Sequence, residues 1–173
     1  FGLGIEASRG IETDEQQRMS LPALERAIAA EREAGLFPFM VVGTAGSVST
    51  GAIDPLASIA AICKQQSLWF HVDGAYGAPA AVLPEASPDL KALALADSVA
   101  VDPHKWLYAP LEAGCTLVRN PQHLADAFSF HPEYYHFGDS SDGEAPVNFH
   151  EFGLQNSRGF RALKVWLGLR QAG

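Results

Sequence analysis

Residues 98–110 read SVAVDPHKWLYAP. An apolar, strand-like run ends abruptly in Asp102, Pro103, His104 and Lys105, and Trp106 follows at once. Lysine is among the residues least often buried, so a lysine between an apolar strand and a tryptophan asks for a reason. Working outward, the same pattern recurs. LFPFMVVGT reads as a buried strand entering a small-residue loop, TAGSVSTGAI, and LWFHVD reads as a second strand entering the tight turn GAYGAPAA. Helical spacing fills the gaps. Residues 20–34 carry Leu21, Leu24, Ala27 and Ile28 on one face, with Ser20 as N-cap, Pro22 in the first turn and Gly35 as stop. DPLASIAAICKQQ predicts a helix with Asp54 as cap and Pro55 at its first position. LKALALADS is a helix or a turn of one, and GCTLVRN is a fourth strand. A longer loop then leads to a last helix, SRGFRALKVWLGLRQA. Continuous apolar strands alternating with helices predict an α/β fold, a mostly parallel sheet flanked by helices on both faces.

The bulk numbers agree with one packed unit. The chain has 173 residues, 47% hydrophobic and 18% charged, which is a globular composition. Its formal charge of −8 and lack of a Lys/Arg run argue against nucleic-acid or anionic-membrane partners. Cys63 and Cys115 fit neither a zinc spacing nor a disulfide framework, and read as small buried hydrophobes in a cytoplasmic protein. No apolar run approaches the roughly 20 residues of a membrane helix, and no signal peptide is visible. The chain starts at Phe1 and stops in a helical pattern at Gly173, so an internal fragment is expected. The Gly, Ser and acid content of Asp139 to Gly143 suits a loop better than a domain boundary.

Polar residues collect where the strands end, which is where open α/β sheets bind ligands. Thr44 follows one strand, Asp73 ends the next, and Asp102, His104 and Lys105 follow the third. Asp73 either caps its own turn or faces a ligand that the small residues Gly74, Ala75 and Gly77 allow to come close; the stretch leaves both open. Lys105 either snorkels to water or sits poorly solvated, where a lysine amine becomes a nucleophile that forms Schiff bases with carbonyl compounds such as pyridoxal phosphate. A pyridoxal site needs that lysine and a carboxylate to keep the pyridine nitrogen protonated, and Lys105 and Asp73 are those two residue types. The alternatives are weaker. VVGTAGSVSTG lacks both the P-loop ending and G-x-G-x-x-G, and the six histidines come without a metal-binding motif. Arg158 and Arg161, opening the last helix, read as structural anchors rather than an anion site.

Four blocks in order, GLFPFMVVGTAGSVSTGAIDP, LWFHVDGAYGAPA, ADSVAVDPHKWLYAPLEAGCTLVR and NSRGFRALKVWLGLRQAG, carry a resemblance through nearly the whole chain. The chain resembles the group II pyridoxal-phosphate-dependent amino-acid decarboxylases, the aromatic-L-amino-acid and glutamate decarboxylase group. The resemblance implies part of the large domain of a fold-type I enzyme. Residues 1–173 would be the C-terminal half of that domain, without the upstream segment and the small C-terminal domain. It implies pyridoxal 5'-phosphate as cofactor and Lys105 as the residue of the internal aldimine. Asp73 would pair with the pyridine nitrogen, Ala75 would pack on the ring face, Thr44 would contact the cofactor near Asp73, and His104 would lie beside the phosphate. Tyr134 falls where the family's mobile loop carries a tyrosine that helps reprotonate the substrate carbon. Asp102 would stand near the phosphate, a departure from the Asn usual in animal members, because a carboxylate repels a phosphate unless a donor intervenes. The implied activity is decarboxylation of an L-amino acid, aromatic favoured, by a cytoplasmic homodimer. Aldehyde synthesis or carbon–carbon lysis on the same scaffold, and a fragment inactive by itself, are the alternatives.

Overall fold

The structure is a computed structural model that describes residues 2–130, 132 and 147–173. Its sheet runs in the order β1 (Met40–Thr44), β2 (Trp69–Asp73), β3 (Ser98–Val101), β4 (Cys115–Val118). The first three strands are parallel and β4 is antiparallel to β3. The connections carry α1 (Leu21–Glu33) before β1, α2 (Leu56–Gln66), and the short α3 (Pro88–Lys91); α4 (Gln122–Phe128) and α5 (Arg161–Ala172) follow the sheet. The expected mostly parallel α/β architecture with flanking helices is what the chain forms.

Local signals set the ends of α1. The Ser20 hydroxyl accepts from the Ala23 N–H, and Pro22 occupies the first turn. Gly35, at φ 79°, closes the helix: its N–H donates to the Arg32 carbonyl and that of Leu36 to Glu31, the paired bonds of a Schellman end. The start of α2 differs from expectation. Asp54 is no cap; its carboxylate is buried and accepts from the Met19 N–H at 2.6 Å and the Thr44 N–H at 2.7 Å. The N-terminus of α2 is served instead by Asp89, which accepts from the Ala57 N–H at 3.3 Å. Asp54 is taken up by two other segments because their partly buried N–H groups need an acceptor. Asp54→Ala strands both donors, and should lower stability by about 2–4 kcal/mol; an unchanged urea midpoint would contradict this. The sequence pattern assigns no element to residues 121–129, where α4 forms, although Asn120-Pro121 is a start signal: the Asn120 side chain accepts from the Gln122 N–H.

The core lies between the sheet and its helices. Leu24 and Ile28 of α1, Leu56, Ile59 and Cys63 of α2, and Val41, Phe70, Val72 and Val99 of the strands form one buried cluster. Gly43 lets α2 approach; a Cβ there would stand 2.9 Å from Leu56 Cδ2. Cys63 is buried as expected, and burial pushes its thiol up to about 11. Cys115 is not: it is exposed on β4, at the antiparallel end of the sheet. The strand pattern predicts cover on both faces, but burial alternates along β1 and β2. Val41, Gly43, Phe70 and Val72 are buried, while Met40 and Val42 are 42% and 44% exposed. The less covered face is the one that Thr44, His71 and Asp73 share by the two-residue period. No helix among the described residues is long and apolar enough to cross a membrane.

Candidate functional site

Backbone pairing brings the candidate residues to one sheet edge. Thr44 is in register with Asp73, and Asp73 with Ala100, two residues before Asp102. The ladder continues past the strand ends: the Ala45 N–H donates to the Asp73 carbonyl and the Gly74 N–H to the Ala100 carbonyl. The turn after β2 is tightly seated. A Cβ on Gly77 would stand 2.3 Å from the Ala45 carbonyl oxygen, so that glycine fixes how closely the turn packs on β1.

The turn-capping reading of Asp73 is what the structure shows. Its Oδ1 accepts from the Ala75 N–H at 3.1 Å, so it does cap its turn. Its Oδ2 has no hydrogen-bond partner among the described residues, and the residue is exposed at the strand's carboxyl end. One carboxylate oxygen therefore orients the group while the other stays available.

Residues 102–105 form a β-turn, with the Lys105 N–H donating to the Asp102 carbonyl at 2.9 Å. Asp at the first position and Pro at the second suit that turn, so DPHK is a local instruction to reverse the chain after β3. The His104 ring is fixed by its Nδ1, which donates to the Ala113 carbonyl at 2.7 Å, and its Nε2 lies 3.9 Å from Asp102 Oδ2. Of the two readings of Lys105, the structure shows the one open to water. Its side chain is 37% exposed, and Nζ forms an ion pair with Asp102 Oδ2 at 2.8 Å. The amine is therefore paired with a carboxylate and open to water rather than enclosed by its apolar neighbours. The reason is that Trp106 and Leu107 are themselves well exposed and leave Nζ open to water.

Two features escaped the sequence reading. Tyr76 and Trp106 meet edge to face, with ring centroids 5.7 Å apart, and join the turn that carries Asp73 to the turn that carries Lys105. Beneath Asp73, Ser98 Oγ accepts from Trp69 Nε1 at 2.8 Å and lies 2.7 Å from His71 Nδ1. The Trp69 N–H can only donate, so the serine oxygen accepts there, and it keeps both a proton and a second lone pair with which to meet His71 Nδ1. Burial lowers the His71 pKa, and the charge of Asp73 works in the opposite direction. The Trp and His of LWFHVD, alternating with Asp73, are the signal that points to this cluster.

Arg161 is an anchor, as expected: it pairs with Glu112 and holds that carboxyl below its usual range. Arg158 and Arg161 line a cleft of about 1140 Å³ between α5 and the segment before β4. A second cavity, of about 710 Å³, lies between α1 and β1 against Leu24, Ile28, Phe39, Met40 and Val42. Of the described candidate residues only Thr44 borders it, so its apolar walls are not the candidate site. Tyr134 lies outside the described residues. Among the described residues no group of His, Cys, Asp or Glu is arranged to hold a metal ion.

Comparison with known proteins adds the following. Residues 3–173 match the family described as the pyridoxal-dependent decarboxylase conserved domain. An aromatic-L-amino-acid decarboxylase of Bacillus atrophaeus is 44% identical over 163 residues, covering 94% of this chain and 34% of that protein. A phenylacetaldehyde synthase of a Rosa hybrid cultivar is 35% identical, covering 99% of this chain and 34% of that protein. The crystal structure of Oryza sativa TDC with PLP and tryptamine superposes with a TM-score of 0.89 at 31% identity, over 99% of this chain and 35% of that one. The chain spans about a third of the length of the curated relatives it matches.

Proposed function

The chain belongs to the pyridoxal-dependent decarboxylase family, and from that membership we propose that the full-length protein converts an L-amino acid, aromatic by preference, into its amine and carbon dioxide with pyridoxal phosphate as cofactor. Residues 1–173 act as the C-terminal half of its cofactor-binding large domain, and the working enzyme is a cytoplasmic homodimer. The observation that carries the proposal is the pairing of β2 with β3, which sets Asp73 and the turn bearing Lys105 side by side at one sheet edge.

The residues suit the cofactor. Asp73 keeps one carboxylate oxygen available, Lys105 offers a primary amine that water can reach, and the small residues Gly74 and Ala75 let a flat ring come close. When bound, pyridoxal phosphate supplies an aldehyde that an amine can hold and a ring that accepts the electron pair left by departing carbon dioxide. Asp73 keeps the ring nitrogen protonated through Oδ2. Lys105 would hold the cofactor through Nζ. Thr44 and Ala75 would flank the ring beside Asp73, and His104 would lie by the phosphate. Tyr134 donates the proton that replaces the lost carboxylate.

Carbon dioxide release and product identity should be assayed with the full-length protein across a panel of amino acids. Amine from an aromatic substrate is the expected result. Aldehyde in place of amine would assign the synthase reaction, and no release of carbon dioxide from any amino acid would end the proposal.

A further inference from the structure

We propose that Asp102 is a positioning residue for Lys105: before the cofactor arrives, its carboxylate holds the lysine amine over the turn as an ammonium ion, and phosphate contact is not its role. The inference rests on reading Lys105 as the cofactor-holding lysine.

Three observations carry it. Lys105 Nζ is 2.8 Å from Asp102 Oδ2, a direct charge-assisted hydrogen bond. The pair is built into one β-turn, in which Pro103 fixes the backbone between the partners and the Lys105 N–H closes on the Asp102 carbonyl. The carboxylate oxygen is also not shared: His104 Nε2 stands 3.9 Å from Asp102 Oδ2, beyond hydrogen-bond reach, and the His104 ring is tied to the Ala113 backbone instead. A lysine stem has four flexible carbons, and without a partner its head would wander through water. The pair restricts that motion. It also keeps the nitrogen's lone pair occupied by a proton, so the amine is stored in place but unreactive. A carboxylate already engaged by an ammonium is poorly suited to face a phosphate, since releasing it would bring two negative charges together.

The test is competitive labelling of the cofactor-free, full-length protein with trace acetic anhydride, read lysine by lysine by mass spectrometry. Lys64, Lys91 and Lys164 serve as internal references for folding. In Asp102→Asn, Lys105 should label about two- to fivefold faster relative to those three, the range for a partly exposed ion pair. Asp102→Glu, which restores the charge, should bring the rate back toward that of the unsubstituted protein. If Asp102→Asn fails to fold, the unsubstituted protein decides: raising salt to 1 M, where the screening length is about 3 Å, should accelerate Lys105 selectively. A Lys105 rate that is unchanged or slower in Asp102→Asn, or unmoved by salt where that variant cannot be made, overturns the inference. Borohydride reduction of the cofactor-loaded protein separates the two readings. Cofactor trapped on Lys105 leaves the parent reading intact whatever the labelling shows, and cofactor trapped on another lysine removes both.

Discussion

Lys105→Ala in the full-length protein should abolish the visible absorbance of a lysine-bound pyridoxal cofactor and lower turnover by about 10⁴-fold or more, the scale on which removing a covalent catalytic group acts. The fold should survive, because Lys105 is exposed and its ion pair among the described residues is local to its own turn. Stability should therefore stay within about 0.5 kcal/mol of the unsubstituted protein. Absorbance spectra, borohydride trapping and a denaturant curve check the three parts. A variant that keeps both the absorbance and normal turnover would show that the covalent link is made elsewhere.

Asp73→Asn should cost about 10²–10³-fold in turnover, the usual loss when one preorganised electrostatic contact is removed from a reacting centre. The substitution is narrow. An asparagine oxygen can still accept from the Ala75 N–H, which preserves the turn. The other carboxylate oxygen becomes an NH₂ group, which cannot accept a proton from a pyridinium nitrogen. The loss should therefore fall on turnover, with stability nearly unchanged. Turnover within about threefold of normal would mean that another group holds the ring nitrogen's proton.

Much of this was legible in the chain because it is written locally. The alternation of apolar runs and helical spacing fixes a mostly parallel sheet, since each period is a property of a few neighbouring residues. Ser20 and Gly35 mark the ends of α1 for the same reason, and Asp102-Pro103 marks the turn after β3. The residue types at the three strand ends, a hydroxyl, a carboxylate and an amine, could be read and their chemistry inferred. Two local readings went astray. Asp54 carries the Asp-Pro signature of a helix start, yet a partly buried pair of backbone donors from other segments claimed it. The helix α4 was passed over although its Asn-Pro start is local too.

By itself, then, the sequence determined the order of the elements, the turn chemistry and which chemical groups end each strand. Only the tertiary structure decided what those groups meet. It gave Lys105 a charged partner and access to water, where the apolar neighbours suggested isolation. It tied the two site-bearing turns together through Tyr76 and Trp106, thirty residues apart in the chain. It left one sheet face open and placed Asp73 on it. The physical reason is that periodicity and turn preference depend on adjacent residues, whereas solvation and ion pairing depend on every segment that packs nearby.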